Sequence, residues 1–160
     1  FTTDPLNYSM WANYAKYSDS PTQVFDHAGI CIEFNCDEKW REQTLHPIQY
    51  GDDIPQINVL SGDETSLVSA LHSKGREWRA EQEWRITAII QAMPPFPTNL
   101  ATNAKMKFEN SVVGVIFGLR APDNLVKQIL ERVRVVNPGI KFRRVTSDVL
   151  TCERKLVDLP

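Results

Sequence analysis

Apolar and polar positions alternate with a period of two in several stretches of the chain, and this period is typical of half-buried strands. The stretch GICIEFNC (29–36) alternates in this way and is rich in branched and aromatic residues. The run VVGVIFG (112–118) is almost continuously branched, as in a strand that is covered on both faces. We therefore expect it to be the central strand of a sheet. The predicted strands cover residues 29–36, 48–50, 81–90, 112–118, 140–145 and 153–158, with a further strand near Lys105.

A helical period marks three other segments, at residues 7–19, 64–74 and 122–137. The first carries an aromatic stripe, the second is opened by acidic residues and closed by Lys74 before a glycine, and the third is stopped by a Pro-Gly pair. The proline-rich segment 92–103 is predicted to be a loop. Strands and helices do not alternate regularly, so the sequence predicts an α+β domain. We expect a mixed or mostly antiparallel sheet with two main helices, 64–74 and 122–137, packed on it.

Composition and charge narrow the class of protein. With 160 residues, 42% apolar and 24% charged, the chain is expected to form a single globular domain, residues 1–160. A formal net charge of −2 gives no global attraction to nucleic acid, and a charged edge strand accounts for the basic residues at 141–144. The longest nearly apolar run, 111–119, is about half of the roughly 20 residues that a membrane helix needs. We expect no nucleic-acid or membrane partner and, with no secretion signal visible, a cytoplasmic location.

The cysteines and histidines do not form a metal-binding pattern. The three cysteines are an odd number without a CxxC pair, which predicts reduced thiols. His27, His46 and His72 are scattered, and none has the i, i+4 spacing of a metal-binding helix. The sequence therefore predicts no metal, and its dispersed glycines form no phosphate-binding or dinucleotide fingerprint.

The most concentrated chemistry lies in WRAEQEWRI (78–86). Side chains two apart on a strand share a face and lie about 6.6 Å apart, at roughly 3.3 Å per residue. Glu81 and Glu83 are therefore expected to be neighbours, with Arg85 next along the same face to offset their repulsion. Such a trio could grip a polyhydroxyl or cationic ligand. The alternative is an exposed strand face with weak ion pairs.

Trp11, Tyr14 and Glu33 are the other candidate ligand-binding residues. The two aromatic side chains lie at helical spacing, where they could stack on a sugar or base or pack in the core. Glu33 lies on the polar side of its predicted strand, where it could face the same cleft or the solvent. The sequence leaves both alternatives open.

The order of MWANYA, GICIEF, KGREWRAEQEWRI and VIFG resembles a bacterial domain-of-unknown-function family. The resemblance covers residues 1 to 120. The matching residues are Met10, Trp11, Tyr14, Ala15, Gly29, Cys31, Glu33, Phe34, Lys74, Trp78, Glu81, Glu83, Trp84 and Arg85. Members of that family carry a further region upstream, so the resemblance implies that this chain is the C-terminal part of a longer family domain.

A second resemblance is to ADP-ribosyltransferases, in which an Arg, a hydroxyl-bearing strand and a Glu-x-Glu strand surround NAD. It implies that Glu81 and Glu83 are the Glu-x-Glu pair, with Glu83 stabilising the ribosyl cation and Glu81 orienting the acceptor. The segment 1–3 (Phe-Thr-Thr) would stand for the hydroxyl strand, and the NAD-gripping Arg would precede Phe1. The expectation is a bacterial enzyme that takes NAD as substrate. The alternative is a non-catalytic binding or interaction module, of the kind found in defence or toxin systems.

Overall fold

The computed structural model describes residues 1–20, 22–36, 38, 45–53, 55–56, 64–86 and 112–160. The predicted loop at 92–103, the predicted strand near Lys105 and the predicted strand beyond Ile86 lie outside these ranges. The helices are α1 (Tyr8–Tyr14), α2 (Glu64–Leu71) and α3 (Asp123–Val136), with a 3-10 helix at Arg76–Glu81. The strands are β1 (Tyr17–Ser20), β2 (Gln23–Phe25), β3 (Ile30–Phe34), β4 (Leu45–Pro47), β5 (Gln49–Gly51), β6 (Ser73–Gly75), β7 (Trp84–Ile86), β8 (Val112–Phe117), β9 (Lys141–Ser147) and β10 (Arg154–Asp158).

The main sheet has four strands in the order β10-β9-β8-β3. β8 pairs antiparallel with β3 and parallel with β9, and β9 pairs antiparallel with β10. The sheet is therefore mixed, and the predicted α+β class is confirmed. β8 has a strand on each side, as predicted from its continuous apolar run.

Helix α3 covers one face of this sheet. Its Val126 packs with Val115, Phe117 and Phe142, three side chains from β8 and β9, in one buried cluster. The helix begins after Pro122, whose fixed φ suits a helix start, and it ends one residue earlier than predicted. The predicted helix at 122–137 is confirmed.

Helix α1 covers the opposite face. Trp11 is only 4% exposed and packs with Ala15, Ile116 and Val145. Close approach of the chain here depends on Gly29, because a Cβ at this position would lie 2.9 Å from the carbonyl carbon of Ala15. The second helix on this sheet is thus α1, while α2 leads into β6, a strand of a smaller pair.

Two predicted boundaries in residues 64–86 are wrong. The helix predicted to extend to Lys74 ends at Leu71, and residues 73–75 pair in parallel with β5. Glu81, predicted to begin a strand, is the last residue of the 3-10 helix. Gln82 then adopts a left-handed conformation (φ 47°, ψ 48°), so the strand starts only at Trp84. The alternating apolar and polar residues therefore do not form a strand at the start of the predicted segment, residues 81–83.

β3 confirms a predicted strand. Cys31 packs on the cluster below α1, whereas Ile30 is 39% and Ile32 is 47% exposed. This is because β3 lies at the edge of the described sheet. Within the described ranges, no helix has the length and apolar character needed to cross a membrane.

Candidate functional site

Lys74 joins the two glutamates that were singled out in the sequence. Its Nζ lies 2.5 Å from Oε2 of Glu81 and 3.1 Å from Oε2 of Glu83. The side chain of Lys74 is 17% exposed, that of Glu81 is 1% exposed and that of Glu83 is 14% exposed. The two carboxylates therefore come together around a shared cation and not along one strand face.

Arg85 binds Glu83 with two hydrogen bonds. Its Nε donates to Oε1 at 2.7 Å and its Nη2 donates to Oε2 at 3.0 Å. The remaining terminal nitrogen donates to the carbonyl oxygen of Leu71 at 2.8 Å, which ties β7 to the end of α2. Two parallel N–H···O bonds fix the carboxylate geometry more firmly than one would.

Helix α1 supplies the polar partners of Glu81. Asn13 Nδ2 donates to Oε1 at 3.2 Å, and the Tyr14 hydroxyl lies 3.3 Å from both carboxylate oxygens. Asn7 Nδ2 donates to the Glu81 carbonyl oxygen at 3.1 Å. A buried carboxylate needs such partners, because an unpaired one would carry a large desolvation cost. These bonds connect α1 with the 3-10 helix across more than sixty residues of sequence.

The electrostatics of this group favour the charged forms of Lys74 and Glu83. Burial lowers the pKa of Lys74, but hydrogen bonds to Glu81, Glu83 and Tyr14 outweigh it and raise that pKa above its ordinary value. Burial raises the pKa of Glu83, but the hydrogen bonds from Arg85 and Lys74 outweigh it and lower that pKa. Two cationic and two acidic side chains are present, so their formal charges cancel.

A cavity of about 640 Å³ lies next to this group. Its lining includes Met10, Trp11 and Tyr14 from α1, together with Trp84 from β7. Tyr14 therefore belongs both to the cavity and to the charged group, through its hydroxyl bond to Glu81. The exposed Tyr14, at 60%, is the aromatic side chain best placed to meet a ligand, whereas Trp11 is buried and donates its indole N–H to the Pro5 carbonyl at 2.7 Å.

The N-terminal segment reaches the cavity beside Glu83. Thr2 forms an antiparallel bridge with Glu83, and the amide of Trp84 donates to the Phe1 carbonyl at 2.8 Å. Thr2 and Thr3 both line the cavity. The hydroxyl-bearing segment and the second glutamate are thus backbone neighbours.

Glu33 also lines the cavity, and its carboxylate forms an ion pair with Arg143. Gly114 of β8 lies between their strands, and a Cβ there would overlap the Glu33 carboxylate. Glycine at this position therefore leaves room for an ion pair between β3 and β9. Burial raises the pKa of the neighbouring Cys31 thiol, and the Glu33 carboxylate adds to this effect.

The structure brings Glu81, Glu83, Arg85 and Tyr14 into one group, and it places Trp11 and Glu33 at the cavity. Sequence reasoning missed Lys74, Asn13 and Tyr50; the Tyr50 hydroxyl accepts the amide of Glu83 at 2.8 Å. A lysine close before two glutamates is a usable signal for Lys74, whereas the helical pattern predicts the end of a helix at this residue. Asn13 and Tyr50 carried no sequence signal, because their contacts depend on tertiary packing.

Among the residues that the structure describes, no three His, Cys, Asp or Glu side chains are grouped so that they could hold a metal ion. No protein-family model matches the chain, and no curated protein or solved structure is significantly similar to it.

Proposed function

We propose that this chain binds NAD or a related nucleotide in the cavity below α1 and acts as an ADP-ribosyltransferase-like enzyme, with Glu83 as its key carboxylate. The observation that carries the proposal is the bridge between Glu83 and Thr2, because Thr2 lines that cavity. It supports the assignment of Glu83 and of the hydroxyl-bearing segment to one site.

The size and lining of the cavity support a small organic ligand. Its volume of about 640 Å³ falls within the roughly 300–1,000 Å³ that is usual for ligand sites. Aromatic walls from Tyr14 and Trp84 suit the flat face of a base, and Glu33 and Thr2 add a few polar groups. This mixture of apolar walls and sparse polar groups is typical of binding sites for nucleotide-sized molecules.

The ionised state of Glu83 suits ribosyl transfer. In that reaction the bond between ribose C1′ and the nicotinamide nitrogen breaks, nicotinamide leaves with the bonding electrons, and positive charge develops on the ribose. A fixed carboxylate stabilises this charge more in the transition state than in the ground state. Arg85 and Lys74 keep Glu83 ionised by lowering its pKa. Glu81 is 1% exposed, so it would orient the acceptor that takes the ribosyl group through Tyr14, whose hydroxyl it binds and which lines the cavity.

Release of nicotinamide from NAD tests the proposal. The wild-type protein should release nicotinamide when an acceptor is present, and Glu83→Gln should reduce the rate by about a hundredfold or more. Glu77→Gln is the matched control, because Glu77 is an exposed glutamate of the 3-10 helix that precedes Glu83 and should keep the wild-type rate. Equal release by wild type and Glu83→Gln would refute the role of Glu83.

A non-catalytic binding module is the second candidate. The cancelling charges of Lys74, Glu81, Glu83 and Arg85 favour it, because a fully paired group stabilises a structure without any reaction. In that case ligand binding should survive Glu83→Gln and fail in Tyr14→Ala. Tyr14 is the suitable probe, since its side chain is exposed.

The proposed setting is the bacterial cytoplasm. Cys31 and Cys152 are free thiols, and cytoplasmic proteins usually keep their thiols reduced. Fractionation of cells that express the protein tests this location. Recovery with the membrane or secreted fractions would contradict it.

A further inference from the structure

We propose that Lys74 is the positioning residue of this site, and that the groups around its ammonium, Tyr14, Trp78, Glu81 and Glu83, bind a free primary ammonium group once the lysine side chain is removed. The positioning role rests on the proposed function, whereas the ammonium site does not. In this role Lys74 acts by holding the two carboxylates in place and takes no part in the reaction itself.

The backbone alone does not align the two glutamates. Glu81 ends a 3-10 helix and Glu83 lies in a bridge with Thr2, with the left-handed Gln82 between them. In the described part of the chain, Lys74 is the cation that contacts both carboxylates, whereas the Arg85 guanidinium contacts the carboxylate of Glu83. Lys74 therefore determines how close the two carboxylates are and which oxygens remain for a ligand.

The backbone position of Lys74 is set independently of the carboxylates. It is the middle residue of β6 and pairs with Tyr50 of β5. The Tyr50 side chain in turn accepts the amide of Glu83 at 2.8 Å. The β5–β6 pair thus holds the backbone of Lys74 and, through Tyr50, that of Glu83, and the Glu81 carboxylate is joined to this pair through Lys74.

Aromatic and acidic groups surround the ammonium on several sides. The Trp78 ring centroid lies 4.9 Å from Nζ and the Tyr14 ring centroid lies 6.0 Å from it, while the Tyr14 hydroxyl is 3.3 Å away. Rings within about 6 Å attract a cation, and two carboxylates add charge-assisted hydrogen bonds. Trp78 is 41% exposed, so the wall of the site reaches solvent and a small amine can enter when the lysine side chain is removed.

The test is chemical rescue of Lys74→Ala by n-propylammonium, which has the same heavy atoms as the lysine side chain beyond Cβ. We expect a saturable rise in the melting temperature of Lys74→Ala with added propylammonium. We expect no such rise with 1-propanol, an uncharged molecule with the same number of heavy atoms. Arg76→Ala is the matched control, because Arg76 loses an ion pair with Asp52 whose two side chains are 68% and 66% exposed. Equal rises for Lys74→Ala, Arg76→Ala and wild type would overturn the ammonium site.

A double variant locates the rescue. In Lys74→Ala/Glu81→Gln the saturable rise should disappear, and its persistence would show that the amine binds elsewhere and would overturn the assignment. If Lys74→Ala is unfolded alone, propylammonium should restore its native far-UV circular dichroism. A failure to restore it would count against the site, provided that Lys74→Arg folds and shows that the position tolerates substitution.

The kinetic arm tests the positioning role. Nicotinamide release by Lys74→Ala should fall by about a hundredfold in kcat, because misplaced groups lose rate more than affinity, while KM for NAD stays within about twofold. Propylammonium should recover part of kcat. An unchanged kcat would overturn the positioning role. If the wild-type protein releases no nicotinamide at all, the proposed function fails, and the melting-temperature arms still decide the ammonium site.

Discussion

Replacement of Lys74 by methionine removes a partly buried cation while keeping a side chain of similar length. It leaves the carboxylate of Glu81, whose side chain is 1% exposed, without its ionic partner. Removing one partner of a buried pair costs about 3–5 kcal/mol in the free energy of unfolding. The hydrogen bonds from Asn13 and Tyr14 remain, so we expect the lower half of that range. Such a loss is large against the roughly 5–15 kcal/mol of a whole domain.

Equilibrium unfolding in urea at neutral pH measures this loss. Arg76→Met is the control, because the Arg76–Asp52 ion pair is 2.6 Å long but exposed, and an exposed pair contributes about 0–1 kcal/mol. In a double-mutant cycle, Lys74→Met combined with Glu81→Gln should be less unstable than the sum of the single variants by at least about 1 kcal/mol. A Lys74→Met loss no larger than that of Arg76→Met would refute the reasoning, as would strict additivity.

Three further predictions concern other parts of the fold. Trp11→Ala should lower the free energy of unfolding by about 3–5 kcal/mol in urea titrations, because the indole is buried between α1 and the sheet; a loss below about 1 kcal/mol would contradict this placement. The pKa of Glu83 is lowered in the folded state, so its contribution to stability is present above its ordinary value of 4.5 and is lost as pH falls through the lower folded value. The stability of Glu83→Gln should therefore fall less steeply below pH 4.5 than that of the wild type, and parallel acid limbs would contradict this. Gly118→Ala should cost about 1–3 kcal/mol or more, because a Cβ there would overlap the backbone of His27. Gly51→Ala should cost less than about 1 kcal/mol, because a Cβ there would meet the Asp53 backbone only at ordinary van der Waals distance; equal melting temperatures would contradict this difference.

The parts of the fold that sequence reasoning predicted are those with long local patterns. β8 has an almost continuous run of branched apolar residues, and α3 has apolar residues at helical spacing. Side chains of the two elements pack against each other. The failure at Glu81 has a physical cause. The alternating pattern around Glu81 runs from the end of a 3-10 helix into a short strand. The left-handed conformation of Gln82, which separates the two elements, does not change the pattern of apolar and polar residues.

The acidic residues and the arginine of the candidate site were predictable from the sequence, but its other members and its geometry were not. The concentration of charge in residues 78–86 correctly brought Glu81, Glu83 and Arg85 together. The role of Lys74 depends on the parallel pairing of β5 with β6, and that of Tyr14 on a contact across 67 residues. The Tyr14 contact leaves no local pattern, and the signal at Lys74 does not show which carboxylates its ammonium contacts, so tertiary structure was required to find both contacts.

The central claim is that the cavity below α1 binds NAD. Isothermal titration of NAD into the wild-type protein and into Met10→Trp tests it most directly, because Met10 lines the cavity and a larger side chain there would fill it. Circular dichroism confirms beforehand that both proteins are folded. The account predicts saturable binding of one NAD per chain by the wild type and affinity at least about tenfold weaker in the variant. Absence of binding to the wild type, or equal affinity in both proteins, would contradict the account.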